Sequence, residues 1–177
     1  MTRLTAKALA ILLLMTLAAC SGQARDTPLL GDLRRFCVDT ALSPDAVRAA
    51  AATAGAKRPG GSAGSQASTT WDHAIGGRII HLRLTTPPGE AGAAPAVTCT
   101  LSDDQDAGAS LAAVRAWLGA PAGDGNFEQY YFTMAGAQPH YVPRERLTPV
   151  RARTLSGGLY RLSLASFNGS TALTLQH

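Results

Sequence analysis

The sequence is short of charged and aromatic residues and has no long apolar run. Only 16% of its 177 residues are charged and 6% are aromatic, whereas about one quarter of an average soluble domain is charged. No apolar run reaches the roughly 18 residues of a membrane-spanning helix, and we find no internal repeat. The low charge excludes a disordered polyelectrolyte. The lack of a long apolar run excludes a transmembrane bundle, and the lack of an internal repeat excludes a repeat protein.

Length and apolar content bound what the chain can form. With 177 residues, 46% of them hydrophobic, it is long enough for one domain with its own core and too short for a multidomain machine. Alanine, glycine and threonine take the place of the missing charges. The composition therefore indicates a globular domain and leaves its activity open.

The N-terminus has the parts of a secretion signal. Arg3 and Lys7 give a positive start, residues 8–18 (ALAILLLMTLA) are apolar, and Leu17-Ala18-Ala19-Cys20 stands at the end of this stretch. The stretch has the length of a secretory core and is too short to cross a bilayer permanently. The four residues resemble the lipobox of bacterial prolipoproteins, in which a signal peptidase cleaves before the cysteine. An ordinary signal peptide with a nearby cysteine is the alternative.

The resemblance implies a lipid anchor on Cys20. Residues 1–19 are then a removed signal peptide, 20–27 a tether and 28–177 one domain. Cys20 is expected to carry a diacylglycerol and an acyl chain such as palmitate, and two or more acyl chains hold a protein stably on a membrane. Ser21 replaces the aspartate typical of inner-membrane retention, so we expect an outer-membrane protein facing the periplasm.

Cys37 and Cys99 remain in the mature chain, which is expected to fold in an oxidising compartment. A disulfide between them would close a loop of about 60 residues and stabilise the fold by roughly 4 kcal/mol. A pair of buried free thiols is the alternative. A redox or metal role is disfavoured because the chain has no Cys-x-x-Cys and no histidine cluster beside these cysteines. We therefore predict a structural disulfide.

Hydrophobic periodicity predicts an α+β fold. The predicted helices cover 28–40, 44–54 and 107–118. The predicted strands cover 78–86, 97–101, 127–134, 147–154, 159–167 and 170–176. Residues 55–68 and the segment around His140 and Tyr141 are predicted loops. Few connections run strand-helix-strand, so we expect a mainly antiparallel sheet of about five strands with about three helices packed on one face.

Aromatic and basic residues are the candidate binding residues. Phe127 and Tyr131 share the face of their predicted strand that helices would leave open, and exposed aromatic side chains are typical of interfaces. Packing of Tyr131 under a loop is the alternative. Arg144 and Arg146, with two further arginines before residue 154, suit lipid headgroups or acidic glycans, or form a solvated face.

Two imidazoles and a carboxylate make a further candidate site. Asp72, His73 and His81 would meet near the start of a strand. Groups of these types close together could form an enzyme site that matches no familiar motif. However, His81 shares a face with Arg83, a pattern typical of scattered surface histidines and unfavourable to a metal. The His-Glu-x-x-His and Ser-x-x-Lys motifs are absent. We therefore assign no catalytic residue, metal or cofactor.

The balance of charge excludes one class of partner. Without the predicted leader the chain has 14 basic and 12 acidic residues, which is too even for nucleic-acid binding. The sequence predicts a membrane-tethered, non-enzymatic module of the cell envelope that binds a protein or a glycan. An envelope enzyme and a structural component of an envelope complex stay open as alternatives.

Overall fold

The computed structural model describes residues 27–59, 68–86, 97–104, 107–121, 123 and 127–177. The predicted signal peptide, Cys20, all of the predicted tether except Thr27, and most of the predicted loop 55–68 lie outside these residues. Among the described residues, no helix has the length and apolarity needed to span a membrane.

Among the described residues, two helical segments precede the sheet. Helix α1 (Pro28–Leu33) begins after Thr27, whose hydroxyl accepts a hydrogen bond from a backbone N–H of the first turn, and it continues as a π-helical turn (Arg34–Val38). Helix α2 (Pro44–Thr53) follows. Both α-helices begin with proline, whose missing N–H costs no hydrogen bond in a first turn. The predicted pair of N-terminal helices is confirmed.

In the part of the chain that the structure describes, seven strands form one antiparallel sheet. Along the chain come β1 (Ser68–Ile75), β2 (Arg78–Thr85), β3 (Thr98–Asp103), helix α3 (Ala107–Leu118), β4 (Phe127–Ala135), β5 (Gln138–Val142), a 3-10 turn (Arg144–Arg146), helix α4 (Pro149–Thr154), β6 (Leu159–Phe167) and β7 (Ser170–Gln176). The order in the sheet is β1-β2-β3-β7-β6-β4-β5. The predicted hairpin of β6 and β7 therefore lies near the middle of the sheet, with edges at β1 and β5.

The predicted α+β class and antiparallel sheet are confirmed, with seven strands rather than about five. Strand β1 starts at the end of the predicted loop 55–68, and strand β5 contains His140 and Tyr141, for which a loop was expected. Pro139 made a strand unexpected at this point of the sequence. Proline is tolerated in β5 because β5 is an edge strand.

The predicted strand over 147–154 is wrong, because most of this segment forms helix α4. The Thr148 hydroxyl accepts a hydrogen bond from the Arg151 backbone N–H, and Pro149 occupies the first helical position. Leu155 then ends the helix in the left-handed conformation. Local capping at both ends favours the helix over the strand expected for this segment.

Helices α1, α2 and α3 cover one face of the sheet, which we call the inner face. Its buried side chains include Ile80, Leu101, Phe132 and Leu173, and they form one cluster with those of the helices. The predicted disulfide is present and joins Cys37 of the π-helical turn to Cys99 of β3. The N-terminal helices are thus fixed to the centre of the sheet by both packing and a covalent bond.

The opposite face, which we call the outer face, is packed differently. Among the described residues, a small apolar cluster covers it beside β4 and β5, where Leu147, Ala152 and Leu155 lie against Tyr131 and Leu159. Elsewhere its side chains are mostly Thr, Ser, Gln and Arg of intermediate exposure. The sheet therefore has one side committed to the core and one side largely available.

Candidate functional site

The strand register places the outer-face side chains in rows that cross the sheet. One row, from β4 to β1, is Phe127, Ala165, Ala172, Ser102, His81 and Asp72. The next row is Gln129, Ser163, Thr174, Thr100, Arg83 and Thr70. Directly opposed residues in such rows have Cβ atoms about 5 Å apart. The outer face is therefore aromatic at one corner, hydroxyl- and amide-lined at its centre, and charged near β1.

Phe127 and Phe167 make the aromatic corner. Their exposed fractions are 64% and 74%. Phe127 is opposite Ala165, two residues before Phe167, so the two rings lie diagonally on the same face. The small side chains of Ala165 and Ala172 leave these rings standing above their surroundings. Phe127 was predicted as a candidate; Phe167 was missed because it directly precedes the Asn168-Gly169 turn, although the hairpin register would have placed it.

Tyr131 is not part of this exposed surface. It is only 4% exposed and packs against Leu155 and Leu159, while its hydroxyl donates a hydrogen bond of 3.0 Å to Gln129 Oε1. Of the two interpretations drawn from the sequence, packing under a connecting segment is the correct one. Tyr131 supports the fold and is no longer a candidate binding residue.

Polar side chains in the centre of the outer face are paired across strands. Thr100 and Thr174 hydroxyls lie 3.2 Å apart, and the Arg161 guanidinium donates to Gln176 Oε1 at 2.8 Å. Hydroxyl, amide and guanidinium groups have more donors and acceptors than these contacts use. The centre thus offers pre-ordered hydrogen-bonding groups beside the aromatic corner.

Asp72 and His81 form a pair at the β1 side of the outer face. They are opposite each other in the β1–β2 register, and His81 Nδ1 lies 2.7 Å from Asp72 Oδ1. Lys57 pairs through its backbone with Asp72 and adds one bridge beyond β1. A groove of about 230 Å³ opens here, lined by Gly55, Lys57, Asp72, Ala74 and Ile79.

His73 lies on the inner face, away from this pair. Its Nδ1 is 2.6 Å from Asp32 Oδ2 in a buried contact, and the centroids of its ring and the Phe36 ring lie 5.4 Å apart with the two rings nearly perpendicular. Burial raises the pKa of Asp32, against the opposing effect of the His73 hydrogen bond and charge. The structure therefore divides the expected trio Asp72, His73 and His81 between two sides of the sheet.

A second partly buried polar cluster joins α3 to β4. The Arg115 guanidinium donates to both carboxylate oxygens of Glu128, and the Tyr130 hydroxyl donates to the same carboxylate. Burial alone would raise the pKa of Glu128, but hydrogen bonds from Arg115 and Tyr130 outweigh it and lower the pKa. These side chains bond to one another across the interface, so the cluster is a structural link between helix and sheet.

Arg144 and Arg146 are exposed in the 3-10 turn after β5. They lie with α4 beside the apolar cluster around Tyr131, and so at a distance from the aromatic corner along β4. The structure therefore puts the two predicted groups of binding residues, aromatic and basic, at separate places on the outer face.

Within the described residues, no group of three or more His, Cys, Asp and Glu side chains converges to hold a metal ion. Comparison of the chain with protein-family models, with curated proteins and with solved structures gives no match. What the protein does must therefore be argued from these surfaces.

Proposed function

We propose that the protein is a binding module of the bacterial cell envelope, tethered to a membrane through a lipid on Cys20, and that it binds a protein or glycan partner on the outer face. The observation that carries the proposal is the aromatic corner formed by Phe127 and Phe167. Exposed aromatic side chains that stand together on a soluble domain are typical of interaction sites.

The surroundings of the aromatic corner suit such a partner. Rings fixed on adjacent sheet strands lose little conformational freedom on binding. The neighbouring hydroxyl, amide and guanidinium groups supply hydrogen bonds that orient a ligand. Loops of proteins and chains of sugars both combine apolar patches with closely spaced polar groups, and both fit this arrangement.

Photo-crosslinking in cells tests the binding surface. A photoreactive phenylalanine analogue at position 127 or 167 should give a discrete adduct in isolated envelopes, whereas the same group at the exposed Gln138 of edge strand β5 should not. Protease digestion of the adduct separates a protein partner from a glycan. Equal adducts at all three positions, or none at 127 and 167, would overturn the proposal.

The tether is tested separately with Cys20→Ser. The unchanged protein should fractionate with membranes and carry the mass of its lipid, and the variant should lose that added mass and its stable membrane association. A variant that stays in the membrane fraction at the mass of the unchanged protein would contradict the anchor and leave the binding surface unaffected.

One observation favours acyl transfer as a second candidate function. Asp72, His81 and Ser102 are consecutive members of one outer-face row. Asp72 holds His81 at Nδ1, which leaves Nε2 to take a proton from the Ser102 hydroxyl during attack on a carbonyl. Against this, β3 lies between β2 and β7, so its backbone N–H groups are engaged in the two ladders, whereas an oxyanion would need free ones.

A further serine has the spacing of a hydrolase motif. Residues 60–64 read Gly-Gly-Ser-Ala-Gly and match Gly-x-Ser-x-Gly, in which the serine follows a strand and opens a helix. The motif lies outside the described residues, and the next described element is strand β1, where the motif requires a helix. This context disfavours Ser62 as a nucleophile.

An active-site phosphonate probe distinguishes the two functions. A catalytic Ser102 would be labelled in the unchanged protein, would lose the label in His81→Asn, and would keep it in the control Ser163→Ala. The binding proposal expects no label on Ser102. Labelling with this pattern would replace it with acyl transfer.

A further inference from the structure

The segment from Arg144 to Leu155 carries concentrated positive charge. It contains four arginines and one acidic residue, Glu145. Arg144, Arg146 and Arg153 are exposed and Arg151 is half-buried. None of these arginines is in the ion pairs found among the described residues. Their charge is therefore available to an external partner.

Helix α4 within this segment has two distinct sides. Ala152 packs toward the sheet in the cluster around Tyr131. Successive residues of a helix turn by about 100°, so Val150 points almost directly away from the sheet, with Arg151 and Arg153 to either side of it. Val150 is 69% exposed. The outermost side chain of the helix is thus apolar and has a guanidinium group on either side.

We infer that this segment, residues 144–155, is a contact surface for a bilayer that contains anionic lipids. Val150 enters the boundary between headgroups and acyl chains, while the four arginines bind lipid phosphates. A guanidinium matches phosphate with two parallel hydrogen bonds, and each basic residue near an anionic bilayer strengthens attachment about fivefold. The exposed Val150 favours a bilayer over an acidic glycan, because a bilayer has an apolar layer directly beneath its phosphates.

The length of chain before the domain supports this occupant. If Cys20 carries a lipid, the tether 20–27 spans at most about 28 Å when fully extended. A domain held so close meets the headgroups repeatedly, so a weak surface contact suffices to orient it. The inference rests on the tether of the proposed function and not on the ligand of the outer face.

The test measures whether the side chain at position 150 enters the bilayer. Full-length lipidated Val150→Trp protein is placed in vesicles of neutral phosphatidylcholine, or of phosphatidylcholine with about one third phosphatidylglycerol, each containing brominated lipid. We expect quenching of the added tryptophan in the anionic vesicles and much less in the neutral ones. The matched control is Ile79→Trp, at an exposed residue of β2, which should not be quenched.

Charge variants complete the design. Adding R144Q, R146Q and R153Q to Val150→Trp should lower the ratio of docked to undocked domain by about 100-fold at low salt, whereas adding R35Q, R48Q and R58Q, which removes equal charge from exposed residues elsewhere, should change it little. Slower hydrogen exchange of α4 amides in unchanged protein on anionic vesicles checks that the new indole is not the cause. Equal quenching at positions 79 and 150, quenching independent of lipid charge, or unchanged exchange would overturn the inference.

These outcomes are distinct from failure of the proposed function. Loss of the anchor is read from the Cys20→Ser fractionation, and loss of the outer-face ligand from crosslinks at 127 and 167. Neither measurement depends on residues 144–155.

Discussion

At the residue scale, the buried pair of Asp32 and His73 couples α1 to β1 inside an otherwise apolar core. Removing one member of a buried pair leaves the other without its partner and costs about 3–5 kcal/mol, while replacing both with apolar groups is close to neutral. We expect His73→Phe to lower the free energy of unfolding by this amount at pH 7, measured by urea denaturation.

The double variant Asp32→Leu with His73→Phe is the control for this pair. It should recover most of the loss, because no carboxylate then remains in the core. Equal destabilisation by the single and double variants would show that shape, and not the unpaired carboxylate, decides the cost.

Glu128 gives a prediction for pH dependence. Its pKa is lowered in the folded state from the ordinary value of 4.5, so the folded protein holds this proton less tightly than the unfolded chain. The stabilisation it provides is present above pH 4.5 and is lost as the pH falls through the lowered pKa. In urea denaturation between pH 3 and 7, Glu128→Gln should have a lower free energy of unfolding than the unchanged protein at pH 7. Its free energy of unfolding should also fall less steeply as the pH is lowered. Parallel profiles would contradict the assignment.

Individual residues were predictable only where local pattern decides their environment. Alternation along the strand correctly put Phe127 and Tyr131 on one face. Whether each is exposed depends on the segment 144–155, which covers Tyr131 from a different part of the chain. The partner of His73 is likewise 41 residues away, so no periodicity within β1 reveals it.

At the element scale, the disulfide joins the π-helical turn to β3, an interior strand of the sheet. It links residues 62 positions apart, and closing a loop of that length stabilises a fold by about 4 kcal/mol in the chain-entropy model. We expect Cys37→Ala with Cys99→Ala to lower the free energy of unfolding by roughly this amount. The unchanged protein in reductant should have the same free energy of unfolding as the variant. If the variant and the reduced protein were each less stable than the oxidised protein by less than about 1 kcal/mol, the disulfide would not have a stabilising role.

Elements with both a periodic core and capping residues were predicted well, as the agreement for α3 shows. Elements whose burial depends on distant partners were not. Strand β1 was missed because His73 interrupts its apolar side, and β5 because Pro139 is acceptable only at an edge that the sequence does not mark. Helix α4 was mistaken for a strand because its capping by Thr148 was overlooked, so here the sequence held the information.

At the scale of the whole molecule, the two faces of the sheet have different roles: the inner face holds the core, and the outer face carries the proposed binding surface. The inner face and the small cluster around Tyr131 hold the structure, whereas Phe127 and Phe167 contribute little to it because they stay exposed. We expect Phe127→Ser with Phe167→Ser to change the free energy of unfolding by no more than about 0.5 kcal/mol, while Tyr131→Ala lowers it by about 3–5 kcal/mol. Denaturation measures both.

The same variants decide whether the separation is functional. Phe127→Ser with Phe167→Ser should abolish a crosslinked adduct formed from a photoreactive group placed between them at Ala165, although the protein remains folded. Tyr131→Ala, compared at a temperature where it is still folded, should retain the adduct. If the exposed pair were needed for stability, or if its loss left the adduct intact, the outer face would not be the binding surface. Because stability and crosslinking are measured on the same molecules, a failed fold cannot be mistaken for a lost partner.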